Sequence, residues 1–493
     1  MIIQNEFVLT NLLWSQSNGW GCVSNHLLFI VVWMGTVRYR SHVGFLPLGR
    51  TILWLCGVLF WRRELTTIMS AADRSPYRVL IYSHDSFGLG HLRRCREIAH
   101  ALVAARKDVS VLIISGSPII GSFDFRARVD FVRVPGVIKL RNGAYTPLSL
   151  HMDINETLKI RQSIIHHTTR IFAPDLLIVD KEPLGLRGEI RSTLNMLKKQ
   201  GTTLVLGLRD VLDDPDLLVP EWQRKKALPV LRDLYDEIWV YGGAEFYDPL
   251  EGVGLPESAL AKRRFTGFLR RSIPQRDVPM PEVVPPVPFL LVTAGGGGDG
   301  AEMMDWVLSA YESGAALPWS ALLALGPFMA PELKEPLIAR ARALDQVRTL
   351  TFDACFETIM ARAAGVVAMG GYNTFCEILS FDRKAIMVPR TRPRREQLIR
   401  AQRAESLGLA RMLNRDESGD TARMVEALRA LPAQLPPSNA RLPELLNGHE
   451  TALARVDHYL NTRPPRRPAA ERSTDSDQDN IRAETSSSAR AAR

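Results

Sequence analysis

Four short clusters carry residue types that could serve group-transfer chemistry. The first is Gly88-Leu89-Gly90-His91, which follows the apolar run 78–83 and opens a helical pattern. Glycines let backbone approach a ligand closely, and a histidine near neutral pKa can take a proton from a hydroxyl as general base. A glycine turn with a polar helix-start residue is the plainer alternative. The second is Ala294-Gly295-Gly296-Gly297-Gly298-Asp299-Gly300, again between an apolar run and a helix. Backbone N–H groups of such a turn, with a helix dipole behind them, suit a diphosphate; Gly296, Gly297, Gly298 and Gly300 are its candidate contacts. The alternative is a flexible loop without chemistry. No clear GxGxxG spacing with a downstream acid supports a nicotinamide cofactor.

The third cluster runs from Met369 to Glu377 (MGGYNTFCE). Gly370 and Gly371 follow a strand, and Glu377 is expected in the first turn of the next helix, where a carboxylate can accept hydrogen bonds from two ribose hydroxyls. Thr374-x-x-Glu377 also reads as a capping box, with Glu377 reaching back to the backbone. The fourth is Pro389–Gln397 (PRTRPRREQ). Pro393 suits a helix start. Glu396 and Gln397 could bind donor-sugar hydroxyls, and the arginines, Arg394 among them, could meet phosphate; a solvated basic loop is the alternative. Asp180 and Asp210 end strands and His84 lies near His91, so each could assist.

Apolar strands alternating with helical patterns must position these groups. Strands are expected at 78–83, 109–115, 130–134, 175–180, 203–208 and 237–241, with helices near 92–106 and 154–172. After the six prolines of 272–288 a second series begins, with strands at 289–293, 320–325, 347–352, 365–369 and 385–389 and helices from 302, near 355–363, 374–379, 394–407 and 450–460. Strand–helix alternation implies parallel sheets covered on both faces, and dense prolines mark a semi-rigid linker. The expected plan is α/β: a Rossmann-like domain over 71–271, a linker over 272–288, and a second Rossmann-like domain over 289–461, facing one another across a cleft. The segment 462–493 has almost no large apolar residues and is expected to be disordered.

Residues 1–70 differ from the rest. Five of the nine tryptophans fall there, and two apolar runs, 26–37 and 51–61, are shorter than a membrane-spanning helix needs. Three readings stand: a membrane-associating extension, a poorly packed appendage, or a start codon placed too far upstream, with Met69 as the true start.

With 493 residues, 46% hydrophobic and 23% charged, the chain can bury a large core. Its net charge of +9 is not organised as a basic stripe with interleaved aromatics, which argues against nucleic acid as partner. A basic balance suits an anionic substrate or an anionic membrane surface. The five cysteines (Cys22, Cys56, Cys95, Cys355 and Cys376) form neither a CxxC nor a Cys/His cluster. Neither a zinc site nor a disulfide framework is expected, and a reducing cytoplasm fits.

Taken together, 88–91, 295–300 and 370–401 resemble the GT-B glycosyltransferases, most closely glycosyltransferase family 28, which includes the N-acetylglucosaminyltransferase that forms lipid II. The likeness spans about 77–412 and is strongest in the second half; more narrowly, the chain looks like a bacterial glycosyltransferase group of unassigned substrate. The resemblance implies a GT-B fold, donor binding by the second domain and acceptor binding by the first. It implies a hexosyltransferase using a nucleotide-diphosphate sugar, expected to be UDP-linked, with no metal or other cofactor. By it His91 matches the proposed base, Glu377 the ribose-binding glutamate, and 296–298 the diphosphate turn, where Gly298 replaces a serine. Glu396 and Gln397 fall where the family has two glutamines on the donor sugar, so the donor need not be N-acetylglucosamine. The acceptor is left open between a cell-envelope lipid and a glycan, and peripheral contact at the inner face of the membrane is compatible. Two other functions compete. Gly88-x-Gly90-His91-x-x-Arg94-Cys95 is similar to the GxGHxxRC stretch of a sugar-nucleotide hydrolase, in which the histidine would activate water. A non-catalytic nucleotide-sugar-binding protein is the other.

Overall fold

A computed structural model describes residues 77–84, 90–140, 144–273, 280–296, 298–353 and 356–462. The Trp-rich extension, the tail beyond Thr462, Gly88, Gly297 and the centre of the Pro-rich linker lie outside these residues.

The first sheet is built from β1 (Tyr77–Ser83), β2 (Val109–Ser115), β3 (Val129–Arg133), β6 (Leu176–Asp180), β7 (Thr203–Arg209), β8 (Glu237–Tyr241) and β9 (Arg263–Phe265). All of its pairings are parallel, in the order β3-β2-β1-β6-β7-β8-β9. A hairpin, β4 (Val137–Lys139) with β5 (Tyr145–Pro147), is inserted after β3. Its strands of three residues are too short to leave a periodic signature. The second sheet comprises β10 (Phe289–Thr293), β11 (Ser320–Ala324), β12 (Val347–Leu350), β13 (Gly365–Ala368), β14 (Ala385–Met387) and β15 (Arg411–Met412), in the order β12-β11-β10-β13-β14-β15. It too is wholly parallel.

Continuous apolar runs such as LLIVD and FLLVT form these strands because helices cover both faces, so every residue of β6 and β10 is buried. In both sheets the winding reverses beside the first strand, between β1 and β6 and between β10 and β13. Open parallel sheets bind ligands at that switch point, outside the carboxyl ends of the strands. The helices that matter for the site start there: α1 (Gly90–Ala105) after β1, α3 (Ala301–Glu312) after β10 and α4 (Tyr372–Ser380) after β13. Helix α2 (Ile154–Phe172) covers the first sheet, α5 (Glu396–Ser406) follows β14, and α6 (Gly448–Asn461) ends the described chain.

The chain crosses between the two sheets twice, side by side. Phe268 donates its N–H to the Leu445 carbonyl at 2.7 Å, and Gly448 donates to the Phe268 carbonyl at 3.1 Å. Gly267, at φ +85°, lies so close to this second crossing that a Cβ would stand 2.6 Å from the Glu444 carbonyl oxygen. Helix α6 therefore packs on the first domain: Arg106 at the end of α1 donates to Asp457 at 2.8 Å, and Arg455 pairs with Glu237 of β8. By sequence order α6 belongs to 289–461, but its apolar face completes the other unit.

Between the sheets the contact is aromatic and ionic. Phe246 and Phe268 of the first domain, ring centroids 5.1 Å apart, meet Phe375 of α4 at 5.4 and 5.2 Å. Beside them Arg400 of α5 places a two-pronged bond on Asp210, Nε at 2.7 Å and Nη2 at 2.6 Å, with both side chains at zero exposure. Its remaining nitrogen, Nη1, donates to the Gly370 carbonyl at 2.8 Å. Removing one partner of such a pair strands a charge where water cannot reach it. Asp210→Ala is expected to cost about 3–5 kcal/mol, read as a lowered urea midpoint. Replacing both partners (Asp210→Leu with Arg400→Met) should recover most of it. A single variant as stable as the parent would contradict this account.

Candidate functional site

His91 is the second residue of α1, and Arg94 lies one turn on, so the two share a helix face. That face meets the end of β6. His91 Nδ1 stands 2.5 Å from Asp180 Oδ2, and Arg94 binds the same carboxylate through Nε at 2.8 Å and Nη2 at 2.6 Å. A carboxylate can only accept, so the proton of the imidazole must sit on Nδ1. Arg94 Nη2, 3.0 Å from the same Nδ1, is then a close neighbour and not its donor. This leaves Nε2 as the ring's basic nitrogen, on a side chain 19% exposed. Burial lowers the His91 pKa, and although Asp180 opposes this, Arg94 and Lys181 add to it. The ring is therefore neutral at pH 7 and able to accept a proton. Burial alone would raise the Asp180 carboxyl, but Arg94 and His91 hold it well below its usual range. His84 stands edge-on to His91, centroids 5.9 Å apart, buried, its Nδ1 without a partner. Burial pushes its pKa down to about 3.

The N-terminus of α1 faces that of α4. Asn373 of α4 donates to the Gly90 carbonyl at 3.2 Å and accepts from Arg271 at 2.9 Å. Gly295, at φ +61°, lies beside Thr374. Asp299 pairs with Arg390, whose Nη2 binds Glu396 at 2.5 Å. The glycine turn after β10, the Gly370-Gly371 turn after β13 and the start of α5 thus come together opposite the His91 end of the first sheet. Gly298 and Gly371 border open space, whereas Gly300 is a packing residue, since a Cβ there would lie 2.1 Å from that of Ala294.

Several expectations need correction. Helix α4 begins at Tyr372 with Gly371 as its cap, so Glu377 lies in the second turn and not the first, and Thr374 is inside the helix and not its cap. No capping box forms. Glu377 is 1% exposed, and its carboxylate is held by Arg93 of α1 at 2.7 Å, with Glu357 on the same guanidinium. Burial raises its pKa, and Arg93 offsets only part of that. The basic stretch 390–395 is not a freely solvated loop. Arg394 binds Glu221 at 2.9 Å and reaches Asp213 at 3.5 Å, and the Arg395 N–H donates to Asp213 at 2.9 Å. Glu396 is buried on Arg390, and Gln397 accepts from the Arg390 N–H at 3.1 Å. These side chains, read from the sequence as ligand contacts, here brace the turn and bind the two domains. Asp180 and Asp210, read as strand-end acids that could assist, hold His91 and Arg400; Arg94 stood in the GxGHxxRC stretch without a role of its own, and Arg93 carried no signal beyond its place in α1.

Among the described residues no group of three or more His, Cys, Asp or Glu side chains could hold a metal ion. None of the described helices is long and apolar enough to cross a membrane.

Residues 322–442 match the glycosyltransferase family 28 C-terminal domain. Among proteins of curated function none matches the chain. Among solved structures, MurG of Acinetobacter baumannii superposes with a TM-score of 0.50 at 11% identity, covering 78% of this chain and 100% of that one. Phytolacca americana UGT2, complexed with UDP-2-fluoro-glucose and pterostilbene, gives 0.52 at 13% identity, over 78% and 99%. A UGT transferase of Siraitia grosvenorii in complex with UDP gives 0.51 at 14%, over 78% and 100%. Identities this low speak for the fold, and that fold is GT-B: two Rossmann-like domains set face to face. With a family 28 C-terminal domain on it, the chain is a family-28-like GT-B glycosyltransferase.

The buried histidines give the fold a definite response to acid. The unfolded His84 titrates near 6.5 and the folded one near 3. Between these values the unfolded chain takes a proton that the folded protein refuses, so stability is full above pH 6.5 and falls as pH drops toward 3, by up to about 1.4 kcal/mol per pH unit. His91, also lowered, acts in the same direction. Urea midpoints from pH 7.5 to 4.5 should fall more steeply for the parent than for His84→Leu; parallel curves would count against the buried neutral His84.

Proposed function

We propose that the protein moves a sugar from a nucleotide-diphosphate donor, UDP-linked, to an acceptor hydroxyl, with His91 as general base. The carrying observation is the His91–Asp180 pair at the switch point of the first sheet, set opposite the glycine turns of the second. Asp180 fixes the tautomer, so Nε2 faces the hydroxyl as an unprotonated base, and the imidazolium formed as the proton moves is met by the carboxylate. The donor diphosphate is assigned to the 294–300 turn and to the N-termini of α3 and α4, whose unpaired N–H groups and dipoles stabilise the leaving group without need of a metal. The acceptor is read as an envelope lipid or glycan, reached from the cytoplasmic side with the enzyme soluble or peripheral at the membrane. A ribose contact by Glu377 requires Arg93 to release it, so that role belongs to a state in which α1 and α4 have separated.

A panel of nucleotide sugars, with and without acceptors, tests the reading. Turnover that needs an acceptor supports transfer. Free sugar released as fast without one would recast His91 as an activator of water, and binding without turnover would make the protein a sensor. His91→Ala should lower turnover by roughly 10²–10⁴ while sparing donor affinity, and the parent rate should start to fall on acidification only below pH 6.5, because burial holds the folded His91 below its ordinary value. Undiminished activity in that variant removes His91 from the mechanism. Glu377→Ala should weaken UDP binding about tenfold if the ribose contact is made; an unchanged Kd leaves it as an interdomain strut.

A further inference from the structure

Within the 369–377 cluster the donor reading uses the glycines and Glu377 and leaves Asn373 without a part. Asn373 is the second residue of α4, half-buried, and its amide bonds two other segments of the chain. Arg271 Nη2 donates to its Oδ1 at 2.9 Å, and its Nδ2 donates to the Gly90 carbonyl of α1 at 3.2 Å. A guanidinium can only donate and a carbonyl can only accept, so these two partners fix which way the amide faces. A carboxylate could serve Arg271 but not Gly90.

Arg271 is itself held by α4. It is 5% exposed, its backbone N–H donates to Ser380 Oγ at 2.8 Å, and Ser380 Oγ donates to the Cys376 carbonyl at 2.6 Å. The residue thus meets α4 at both ends of the helix, and the Asn373 amide is kept in register. On the other side, Gly90 is the first residue of α1. In an α-helix its carbonyl accepts from the N–H four residues on, that of Arg94, and its second lone pair is left for the Asn373 amide. His91 lies inside that one turn, and Arg94 is the guanidinium on Asp180. Asp180 fixes the tautomer of the ring; Asn373 holds the backbone turn that carries it.

We propose that Asn373 is a positioning residue for His91. From the second domain it pins the first turn of α1, so the reach of Nε2 toward an acceptor hydroxyl depends on a bond made across the domain boundary. The proposal rests on His91 acting as the base, and in it Asn373 touches neither substrate nor proton. A shift of about 1 Å in a reacting group can cost about a hundredfold in rate, so loss of this bond belongs in turnover and not in donor binding.

Asn373→Asp separates the two bonds: the carboxylate still accepts from Arg271, but it sets an acceptor against the Gly90 carbonyl. Asn373→Ala removes both, and carries the test if Asn373→Asp does not fold. For the full chain, turnover and UDP binding are measured for each substitution on the parent and on the His91→Ala background. Amide hydrogen exchange at the start of α1 adds a readout that needs no turnover. Expected are faster exchange there, kcat lowered about tenfold or more, and UDP affinity within twofold of the parent. On the His91→Ala background the same substitution should change the residual rate less than twofold, because a residue that acts through His91 has nothing left to position. An equal loss on both backgrounds overturns the proposal and makes Asn373 a structural strut. Parent-like exchange in Asn373→Asp also overturns it. A parent rate in His91→Ala fails the base reading, and the positioning role falls with it; a rate that depends on His91 but not on Asn373 fails the positioning role alone.

Discussion

A guanidinium with no access to water must find its counter-charge in the protein, and Arg400 finds it only across the domain boundary. Asp210 ends a strand of the first sheet, Arg400 lies on a helix of the second, and the third nitrogen of the same group fixes the Gly370 carbonyl. The bond therefore sets the distance between the sheets and, through Gly370, the position of the turn after β13. With the aromatic contact of Phe246, Phe268 and Phe375 beside it, it decides how closely the two switch points face each other. A buried pair of this kind adds little net stability but makes other arrangements expensive, which is what a site assembled from two separate sheets requires.

On the first sheet the same logic works at closer range. Asp180 serves a cation and an imidazole at once. Arg94 keeps the carboxylate ionised, the carboxylate keeps the His91 proton on Nδ1, and burial keeps the ring neutral. Without Arg94 the buried acid would lose much of what keeps it charged; without Asp180 the ring would be free to choose its tautomer.

How much of this could be read in the sequence follows from which interactions are local. Buried parallel strands are continuous apolar runs, so VSVLIIS, EIWVY and FLLVT stood out and their strands run over those very residues. The glycine turns were visible for the same reason, as breaks after such runs. The ion pairs were not: Arg94 and Asp180 are 86 positions apart and Arg400 and Asp210 are 190, and nothing in either neighbourhood names the partner. The stretch PRTRPRRE looked like a solvated run because its acids, Asp213 and Glu221, lie in the other domain. Glu377 shows how a small boundary error becomes a chemical one. Starting α4 at Thr374 puts its carboxylate at the helix mouth; starting it at Tyr372, as Gly371 dictates, turns it toward Arg93.

The paired crossings at Phe268 and Leu445–Gly448 have a mechanical consequence. Two chain segments tied by their own backbone hydrogen bonds behave as a strap with one axis: the lobes can swing about it but cannot slide past one another without tearing those bonds. Travel in such a swing grows with distance from the strap, so side chains far from it sweep the largest arc while those next to it barely move. The Gly267–Glu444 approach, too tight for even a methyl group, is where the pivot has least clearance.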